Sequence, residues 1–326
     1  MKEKVRGIYI LLCFCVFTPL VLQAQTDEEK KLCVVSACAV ALLLFASCKS
    51  DDDPFADIST AKKDRPKEEK QKKGGSVVVD EKTALELFDN TPSFGIFRDN
   101  YFVTGVPTNR KIDKHSADAK FQISIRQRLT KSILPFKTFL YLTYTQRSFW
   151  DIYGKSSPFL DNNFNPGLSL SKALIYRKQL MGIAVLSFEH ESNGRDSLAS
   201  RSWNYISLSG SWFIDYRFSA QMKLWAGWVD KEGNPDLLKY KGYGFMAFNY
   251  QSADERLWCS AVINPRRKFI NMNTTLEINF KPSPKANEYF FLQYYNGYAE
   301  NLLEYDRYVS MVRVGICIKP VLRNYY

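Results

Sequence analysis

Short segments of alternating apolar and polar residues fill the chain from about Phe94 onward. In one of them, Phe121, Ile123 and Ile125 fall on one face of a strand, and the residues between them are polar. No helix-length apolar run occurs after residue 50, and the mean hydropathy of the chain is −0.29. The segments are 94–104, 121–127, 138–146, 173–178, 182–192, 203–213, 221–228, 243–251, 257–263, 274–280, 289–295 and 309–318. Spans of roughly ten residues with this period are typical of tilted membrane-spanning strands.

The second face of these segments is polar, which indicates a barrel with a polar interior. Its side chains include Gln122, Ser124, Arg126, Glu277, Asn279 and Arg313. Only helices and closed sheets span lipid, because every backbone polar group must find a partner there. The chain also ends in Tyr325 and Tyr326, and a terminal aromatic residue is typical of outer-membrane barrels. We therefore predict an all-β fold, a transmembrane antiparallel β-barrel of about twelve strands. The alternative is a periplasmic sandwich or propeller.

The first 93 residues predict export followed by a tether. Residues 1–25 combine a basic start with an apolar stretch, which is typical of a secretory signal peptide. Residues 26–48 hold a second apolar run that ends in a lipobox-like segment at Cys48. A start codon assigned too early would leave only this second segment as the signal. Residues 49–93 are polar and predict a flexible linker, so that the barrel domain occupies 94–326.

Charge and cysteine content narrow the classes of function further. The net charge of +11 lies partly in the mixed-charge stretch 61–73 of the linker, and we expect no nucleic-acid partner. Only Cys259 and Cys317 lie in the predicted barrel domain. Two cysteines are too few for a disulfide framework, and the spacing of a metal-binding motif is absent.

A base and a nucleophile fall on the same face of one predicted strand. That face carries Ala184, Leu186, Phe188, His190 and Ser192. The next strand places Asn204 on its own apolar face, where the amide could orient the histidine. The chain has two histidines, and the other, His115, lies in a polar stretch. A His-x-Ser pair alone is weak evidence, because a histidine is more often a structural hydrogen-bonding residue. Its place in an apolar row beside a serine indicates an enzyme that attacks lipid.

The residues around this pair resemble a known signature. The run from His190 to Arg195, followed by the run from Ser200 to Asn204, resembles that of the outer-membrane phospholipase A family of bacteria, in a Bacteroidetes-like form. Other matching positions are Tyr144, Gln146, Trp150, Lys239, Tyr240 and the runs 120–125, 156–159 and 233–236. The resemblance covers roughly residues 94–326, and it keeps the spacing of the three polar residues.

The resemblance implies a phospholipase in the bacterial outer membrane with its catalytic triad on the lipid-facing surface. It would hydrolyse sn-1 and sn-2 acyl esters of phospholipids and lysophospholipids. Ser192 would be the nucleophile, His190 the general base, and Asn204 the residue that orients the histidine. A neutral amide suits this place, because a carboxylate is costly to desolvate at a membrane interface. The backbone N–H of Gly194 would supply the oxyanion hole.

Calcium is the cofactor that the resemblance implies, as a Lewis acid at the ester carbonyl. Its ligands would be the backbone oxygen of Arg195, the side chain of Ser200 and, from a partner subunit, Ser156. Oxygen donors of this kind are the ones that Ca²⁺ prefers.

The chain departs from the family at two carboxylate positions. Ser197 stands where an aspartate is common, with Asp196 one place earlier, and Gly233 stands at the second position, with Glu232 beside it. Glu232 is therefore the fourth candidate ligand. These shifts affect a secondary, monomer-type calcium site more than the catalytic one.

The resemblance also implies a homodimer as the active form, with phospholipid substrate and outer-membrane lipid as the other partners. We predict that Gln146 faces the barrel interior, where it fills a polar lumen or hydrogen-bonds across a subunit interface. The apolar rows that contain Leu142 and Leu208 either pair two subunits or face lipid. The alternative to an enzyme is a non-catalytic barrel, either a pore or a structural protein, and Cys48 leaves open a surface lipoprotein.

Overall fold

The computed structural model describes residues 81–113, 115–177, 179–215, 217–266, 271–283 and 286–320. The predicted export segments, most of the predicted linker and the terminal aromatic residues lie outside these ranges. Within them, no helix is long and apolar enough to cross a membrane.

Strands dominate the described part of the chain. Its two α-helices are α1 (Glu81–Asn90) and α2 (Leu237–Lys241), and 3₁₀ turns cover Pro135–Lys137 and Ser197–Ala199. The strands are β1 (Phe94–Ile96), β2 (Asn100–Pro107), β3 (Asp118–Arg128), β4 (Phe139–Trp150), β5 (Phe159–Tyr176), β6 (Gln179–Ser192), β7 (Ser202–Phe213), β8 (Phe218–Val229), β9 (Gly244–Gln251), β10 (Leu257–Pro265), β11 (Met272–Phe280), β12 (Glu288–Gly297) and β13 (Val309–Ile318).

Antiparallel pairing of neighbouring strands closes the sheet into a barrel. From β3 to β13 each strand pairs with the next one in the chain, and β13 returns to pair with β2. Both β1 and β2 pair with β3, at Phe94 opposite Gln127 and at Tyr101 opposite Gln122. Together they form one barrel strand that is interrupted at 97–99. The prediction of a twelve-stranded antiparallel barrel is confirmed, and the sandwich or propeller is wrong.

Side chains alternate between a polar interior and an apolar outer wall, as the two-residue period of a strand requires. Arg313 lies 2.7 Å from carboxylate oxygens of both Asp118 and Glu300, and Lys120 lies 2.9 Å from Glu300. This pairing matters because an unpaired charge removed from water is costly. Of the predicted interior positions, Arg126 is half-buried, and the buried ones are Gln122, Ser124, Glu277, Asn279 and Arg313. The outer wall exposes large apolar side chains that include Leu168, Leu186, Phe188, Ile206 and Leu208.

Strand β5 starts much earlier than the sequence predicts. The predicted segment is 173–178, whereas the strand spans Phe159–Tyr176. The missed part contains an Asn-Pro-Gly sequence at 165–167, which is typical of turns in soluble proteins. In a barrel with a polar interior such residues fit a strand, because Asn163 is buried inside while Phe164 lies on the outer face.

Helix α1 shows that the predicted flexible linker is wrong for residues 81–90. Phe88 is 8% exposed, its ring lies 5.6 Å from that of Phe139, and it shares a buried apolar cluster with Phe139, Tyr141, Ile183 and Val185. Arg128 of β3 donates hydrogen bonds to three backbone carbonyls at the end of this helix, those of Phe88, Asp89 and Thr91. One buried phenylalanine in a polar stretch is a weak sequence signal, so the helix was not predicted.

The two ends of the barrel differ in their connections. One end, the loop end, carries the connections 108–117, 151–158, 193–201, 230–243, 266–271 and 298–308. The other end, the turn end, carries α1 and the connections 129–138, 177–178, 214–217, 252–256 and 281–287. In outer-membrane barrels the longer loops are extracellular and the short turns periplasmic. The longest connections here, 230–243 and 298–308, both belong to the loop end.

Candidate active site on the outer wall of the barrel

His190 and Asn204 lie directly opposite each other on β6 and β7. Nδ1 of His190 is 2.9 Å from Oδ1 of Asn204. With the amide oxygen as the acceptor, Nδ1 carries the ring proton, and the lone pair of Nε2 is left to accept another proton. Asn204 is exposed on the outer wall and His190 is half-buried there. The register of the two strands therefore joins a base to a group that orients it.

Ser192 lies two residues beyond His190 on the same face of β6. It is half-buried, and its cross-strand neighbours are Phe164 on β5 and Ser202 on β7. Two residues along a strand span about 7 Å, a separation that side-chain reach and strand twist can shorten. The structure thus places the three predicted catalytic residues on one patch of the outer wall, next to the loop end.

The residues between these outward side chains point inward and anchor β6. The carboxylate of Glu189 lies 2.6 Å from Nζ of Lys223. Glu191 accepts a hydrogen bond from the indole N–H of Trp203 at 2.7 Å and pairs with Lys241 at 2.9 Å. Charge-assisted hydrogen bonds in a buried setting are strong, so they hold the strand backbone in place. From the sequence alone, Glu189 and Glu191 are only the residues on either side of His190. Their inward ion pairs were not predicted.

Gly194 follows in the β6–β7 loop with a left-handed φ of +63°. A Cβ at this position would lie 2.9 Å from Cε2 of Phe164, so both the backbone angle and the available space require glycine. The buried side chain of Asn193 bridges the same loop. Its Oδ1 accepts the N–H of Arg201 at 2.9 Å, and its Nδ2 donates to the Ala199 carbonyl at 2.9 Å. The backbone around Gly194 is therefore fixed by a residue that the sequence did not single out.

Arg195 reaches back across this loop to the buried Asp161 at the start of β5. Nε of Arg195 is 3.8 Å from Oδ1 of Asp161, and Nη2 donates to the Leu160 carbonyl at 2.7 Å. The second carboxylate oxygen accepts the N–H of Leu303 at 2.9 Å. Asp161 is 1% exposed, so one buried anion joins the β6–β7 loop to the β12–β13 loop. Sequence reasoning missed Asp161 because it lies in the part of β5 that was not predicted.

The predicted calcium ligands lie in three loops of the loop end. Arg195 and Ser200 share the β6–β7 loop. Ser156 is exposed in the β4–β5 loop, where its φ is +65°, and Glu232 is exposed in the β8–β9 loop. Within the described ranges, no three His, Cys, Asp or Glu side chains are placed to hold a metal ion together. A cation here would depend on hydroxyl, carbonyl and water oxygens, which Ca²⁺ accepts.

Asp230 is the acidic side chain that approaches Ser200. A Cβ built on Gly233 would lie 2.4 Å from the Ser200 carbonyl oxygen and 2.9 Å from Oδ2 of Asp230. Both oxygens therefore pack close to the backbone of Gly233, where a side chain would not fit. Oδ1 of Asp230 accepts the backbone N–H of Glu232 at 3.0 Å. The sequence did not point to Asp230, because it stands outside the positions where the family carries a carboxylate.

Gln146 faces outward, so the prediction that it faces the barrel interior is wrong. Its cross-strand partners are Ile123 and Phe164, both on the outer face. Its Oε1 accepts a hydrogen bond from the Tyr144 hydroxyl at 3.1 Å, and its Nε2 donates to Ser148 at 3.2 Å. The error is one of parity, because adjacent residues of a strand point to opposite faces.

Comparison with known proteins identifies relatives of this chain. The family model of Phospholipase A1 matches residues 95–318. Phospholipase A1 of Proteus vulgaris is 30% identical over 216 residues, which cover 63% of this chain and 70% of that protein. Phospholipase A1 of Escherichia coli K12 gives the same identity and the same coverage.

Solved structures agree with the sequence comparison. The crystal structure of the Salmonella typhi outer membrane phospholipase dimer with bound calcium superposes with a TM-score of 0.62 at 24% identity, over 71% of this chain and 93% of that one. Outer membrane phospholipase A of Escherichia coli gives a TM-score of 0.63 at 23% identity, over 71% of this chain and all of that one, 100%. These likenesses show a common fold. With the family match spanning most of the barrel, the chain belongs to the phospholipase A1 family of outer-membrane β-barrels.

Proposed function

We propose that this chain is a calcium-dependent phospholipase that hydrolyses sn-1 and sn-2 acyl esters of phospholipids and lysophospholipids. The observation that carries the proposal is the 2.9 Å contact between His190 and Asn204 on the outer wall, with Ser192 on the same face. The acyl esters of membrane lipids lie against this wall. A water-soluble substrate would have to enter the apolar layer around the barrel to reach Ser192. A Bacteroidetes-like origin stays a prediction from the resemblance.

The reaction would begin at Ser192. Its Oγ attacks the ester carbonyl carbon while its proton moves to Nε2 of His190. The same proton then passes to the departing alcohol oxygen, which leaves an acyl group on the serine. In the second half, His190 takes a proton from water, the resulting hydroxide attacks the acyl carbon, and the proton returns to Ser192 as the fatty acid leaves.

Asn204 would keep the histidine in the productive tautomer. Its amide oxygen accepts the Nδ1 proton, which leaves Nε2 unprotonated and able to act as the base. The neutral amide stabilises an imidazolium less than a carboxylate would. It also avoids the cost of desolvating an anion at the outer wall.

The backbone N–H of Gly194 is the proposed oxyanion donor. A donor of this kind acts when it is already in place before charge develops on the substrate oxygen. The left-handed backbone of Gly194 and the hydrogen bonds of Asn193 across the same loop fix this N–H in place in advance.

The oxygen donors of the loop end are of the kind that calcium prefers. The Ser200 carbonyl and the Asp230 carboxylate both lie close to the backbone of Gly233, and both are hard oxygen donors. The residues proposed to hold the ion are Arg195 through its carbonyl, Ser200, Asp230 in addition to the predicted Glu232, and Ser156 from a second copy. When bound, calcium would supply positive charge near the ester carbonyl.

A homodimer is the proposed active form. The Salmonella typhi relative was crystallised as a dimer with bound calcium. In this chain Ser156 is exposed, and Gln146 forms a polar spot within the apolar outer row. A second copy that covered this wall would shield the amide from lipid and bring its own Ser156 towards the first copy.

Covalent labelling tests the nucleophile directly. A long-chain alkyl sulfonyl fluoride reacts with activated serines and leaves an adduct of known mass. We expect the adduct on the peptide that contains Ser192, none in Ser192→Ala, and slow labelling in His190→Ala and in chelator. Labelling of another serine, or equal labelling in His190→Ala, would remove Ser192 from this role.

A further inference from the structure

The turn end of the barrel carries a basic surface that the proposed function does not use. It consists of the two adjacent stretches 129–138 and 171–177, which hold Lys131, Lys137, Lys172 and Arg177. Neither stretch contains an aspartate or a glutamate. Other turns at this end do contain acidic residues, namely Asp215, Asp254 and Glu255. We call the stretches 129–138 and 171–177 the basic turn surface.

Large apolar side chains stand out from this surface. Ile133 and Phe136 are each 80% exposed, and Tyr176 is 61% exposed. Phe136 and Lys137 adopt left-handed backbone angles, with φ of 61° and 57°. For residues other than glycine this conformation is unfavourable. The chain therefore holds a phenylalanine outward at an energetic cost, in a position that water alone does not favour.

The cations and the aromatic rings lie together. Nζ of Lys172 is 5.6 Å from the centroid of the Phe136 ring, so the two hairpins are in contact. The guanidinium of Arg177 lies 5.1 Å from the Tyr176 ring. Asp89 of α1 also reaches this region, where it accepts hydrogen bonds from the backbone and the hydroxyl of Ser132.

Lys172 marks the edge of the apolar wall. Leu168 and Leu170 precede it in the outward row of β5 and are 45% and 37% exposed. A lysine at the end of such a row places its methylenes against lipid and its ammonium group at the level of the head groups. Aromatic residues next to it are typical of the same interfacial zone.

We propose that the basic turn surface binds the head groups of anionic phospholipids in the leaflet at the turn end of the barrel. Four side chains carry the recognition: Lys137 and Lys172 attract the phosphate, and Phe136 and Ile133 insert between the first acyl carbons. The surface lies at the opposite end from Ser192, so these lipids are bound partners rather than substrate.

Selective fluorescence quenching tests the proposal. Phe136→Trp places a reporter in the surface, and Ser192→Ala in every protein keeps the lipids intact. The full chain is reconstituted into bilayers with either brominated phosphatidylglycerol or brominated phosphatidylcholine at equal mole fraction, and the signal of the protein without the reporter is subtracted. One charge contact near an anionic surface corresponds to about fivefold enrichment of the anionic lipid. We expect quenching to favour phosphatidylglycerol by about that factor.

Matched variants separate this surface from general charge effects. Lys137→Gln with Lys172→Gln should bring the two lipids to equal quenching. Arg256→Gln with Lys281→Gln, in two other connections of the turn end, should leave the preference unchanged. Equal quenching by both lipids in the parent, or equal loss in both double variants, would overturn the proposal.

Two further measurements use only the reporter protein, which carries Phe136→Trp and Ser192→Ala. They do not depend on whether the two double variants fold. The preference should fall as salt is raised, because salt screens exposed charges. Inorganic phosphate at matched ionic strength should not lower it further. If the preference for phosphatidylglycerol does not change with salt, the electrostatic basis of the proposal is wrong. If phosphate lowers the preference, the surface is a site for free anions and the proposed lipid surface is wrong.

Discussion

Nδ1 of His190 lies 2.9 Å from Oδ1 of Asn204, its directly opposed partner across the β6–β7 pair. The contact joins two side chains on the outer wall of the barrel. It fixes both the tautomer and the direction of the imidazole, and the predictions for catalysis start from it.

Removal of the amide should slow the reaction without unfolding the barrel. For Asn204→Ala we expect kcat to fall about 10- to 100-fold, the loss that one hydrogen bond to a charged transition state gives. Asn204→Asp keeps an acceptor at the same place and should retain more activity than the alanine variant. Fatty-acid release at saturating lipid measures both variants. Full activity in Asn204→Ala would show that the contact is only structural.

Gly194 should tolerate no side chain. Gly194→Ala places a Cβ 2.9 Å from the Phe164 ring and strains a backbone at φ +63°, so we expect kcat to fall at least about 100-fold through loss of the oxyanion donor. Gly95→Ala is the matched control, since its Cβ would meet no side-chain atom closer than 3.9 Å. Equal activity of the two variants would exclude Gly194 from the oxyanion hole.

Asp161 should influence calcium activation through Arg195. Asp161→Asn removes the anion that lies 3.8 Å from Nε of Arg195, and the loop that carries the proposed calcium ligands loses an anchor. We expect the calcium concentration for half-maximal activity to rise about tenfold, which corresponds to about 1.4 kcal/mol. Asp196→Asn, an exposed residue of the same loop, is the control. Identical calcium titrations for the two variants would show that Asp161 does not position this loop.

Acid should weaken the interior network at Glu300, which lies in the β12–β13 loop. Burial raises the pKa of this carboxyl group, but Arg313 and Lys120 outweigh burial and lower the pKa from 4.5 to about 2. A carboxyl group with a lowered pKa stabilises the fold above its unfolded pKa. That stabilisation, about 3 kcal/mol, is lost as the pH falls from 4.5 to about 2.

The matching variant is Glu300→Gln. Urea unfolding in micelles at several pH values should show a large difference in unfolding free energy from the parent at pH 7 and a small one near pH 2. A difference that stays constant over this range would mean that the carboxylate does not supply the stabilisation.

The fold could be predicted from the sequence because the signal of a strand is local. Alternation alone located most strands, and it put His190 and Ser192 on one face. It failed at β5, where an Asn-Pro-Gly sequence has the composition of a turn but lines a polar interior. It also gave the wrong face for Gln146, since an error of one residue in parity reverses every side chain.

The site could be predicted only where its parts lie close in the chain. His190, Ser192 and Asn204 fall within one hairpin, so the register brings them together. The hydrogen bond between Asp161 and Leu303 joins residues 142 positions apart, and no local sequence pattern predicts it. The approach of Asp230 to Ser200 likewise depends on how two loops meet above the barrel.

Release of fatty acid from phospholipid micelles by the refolded protein, beside Ser192→Ala, is the measurement that tests the central claim most directly. It is made once with calcium and once with chelator. We predict release that depends on calcium and disappears in Ser192→Ala, while both proteins keep the mobility of a folded barrel. Release that persists in folded Ser192→Ala would show that another residue is the nucleophile, and no release from the folded parent would support a barrel without catalytic function.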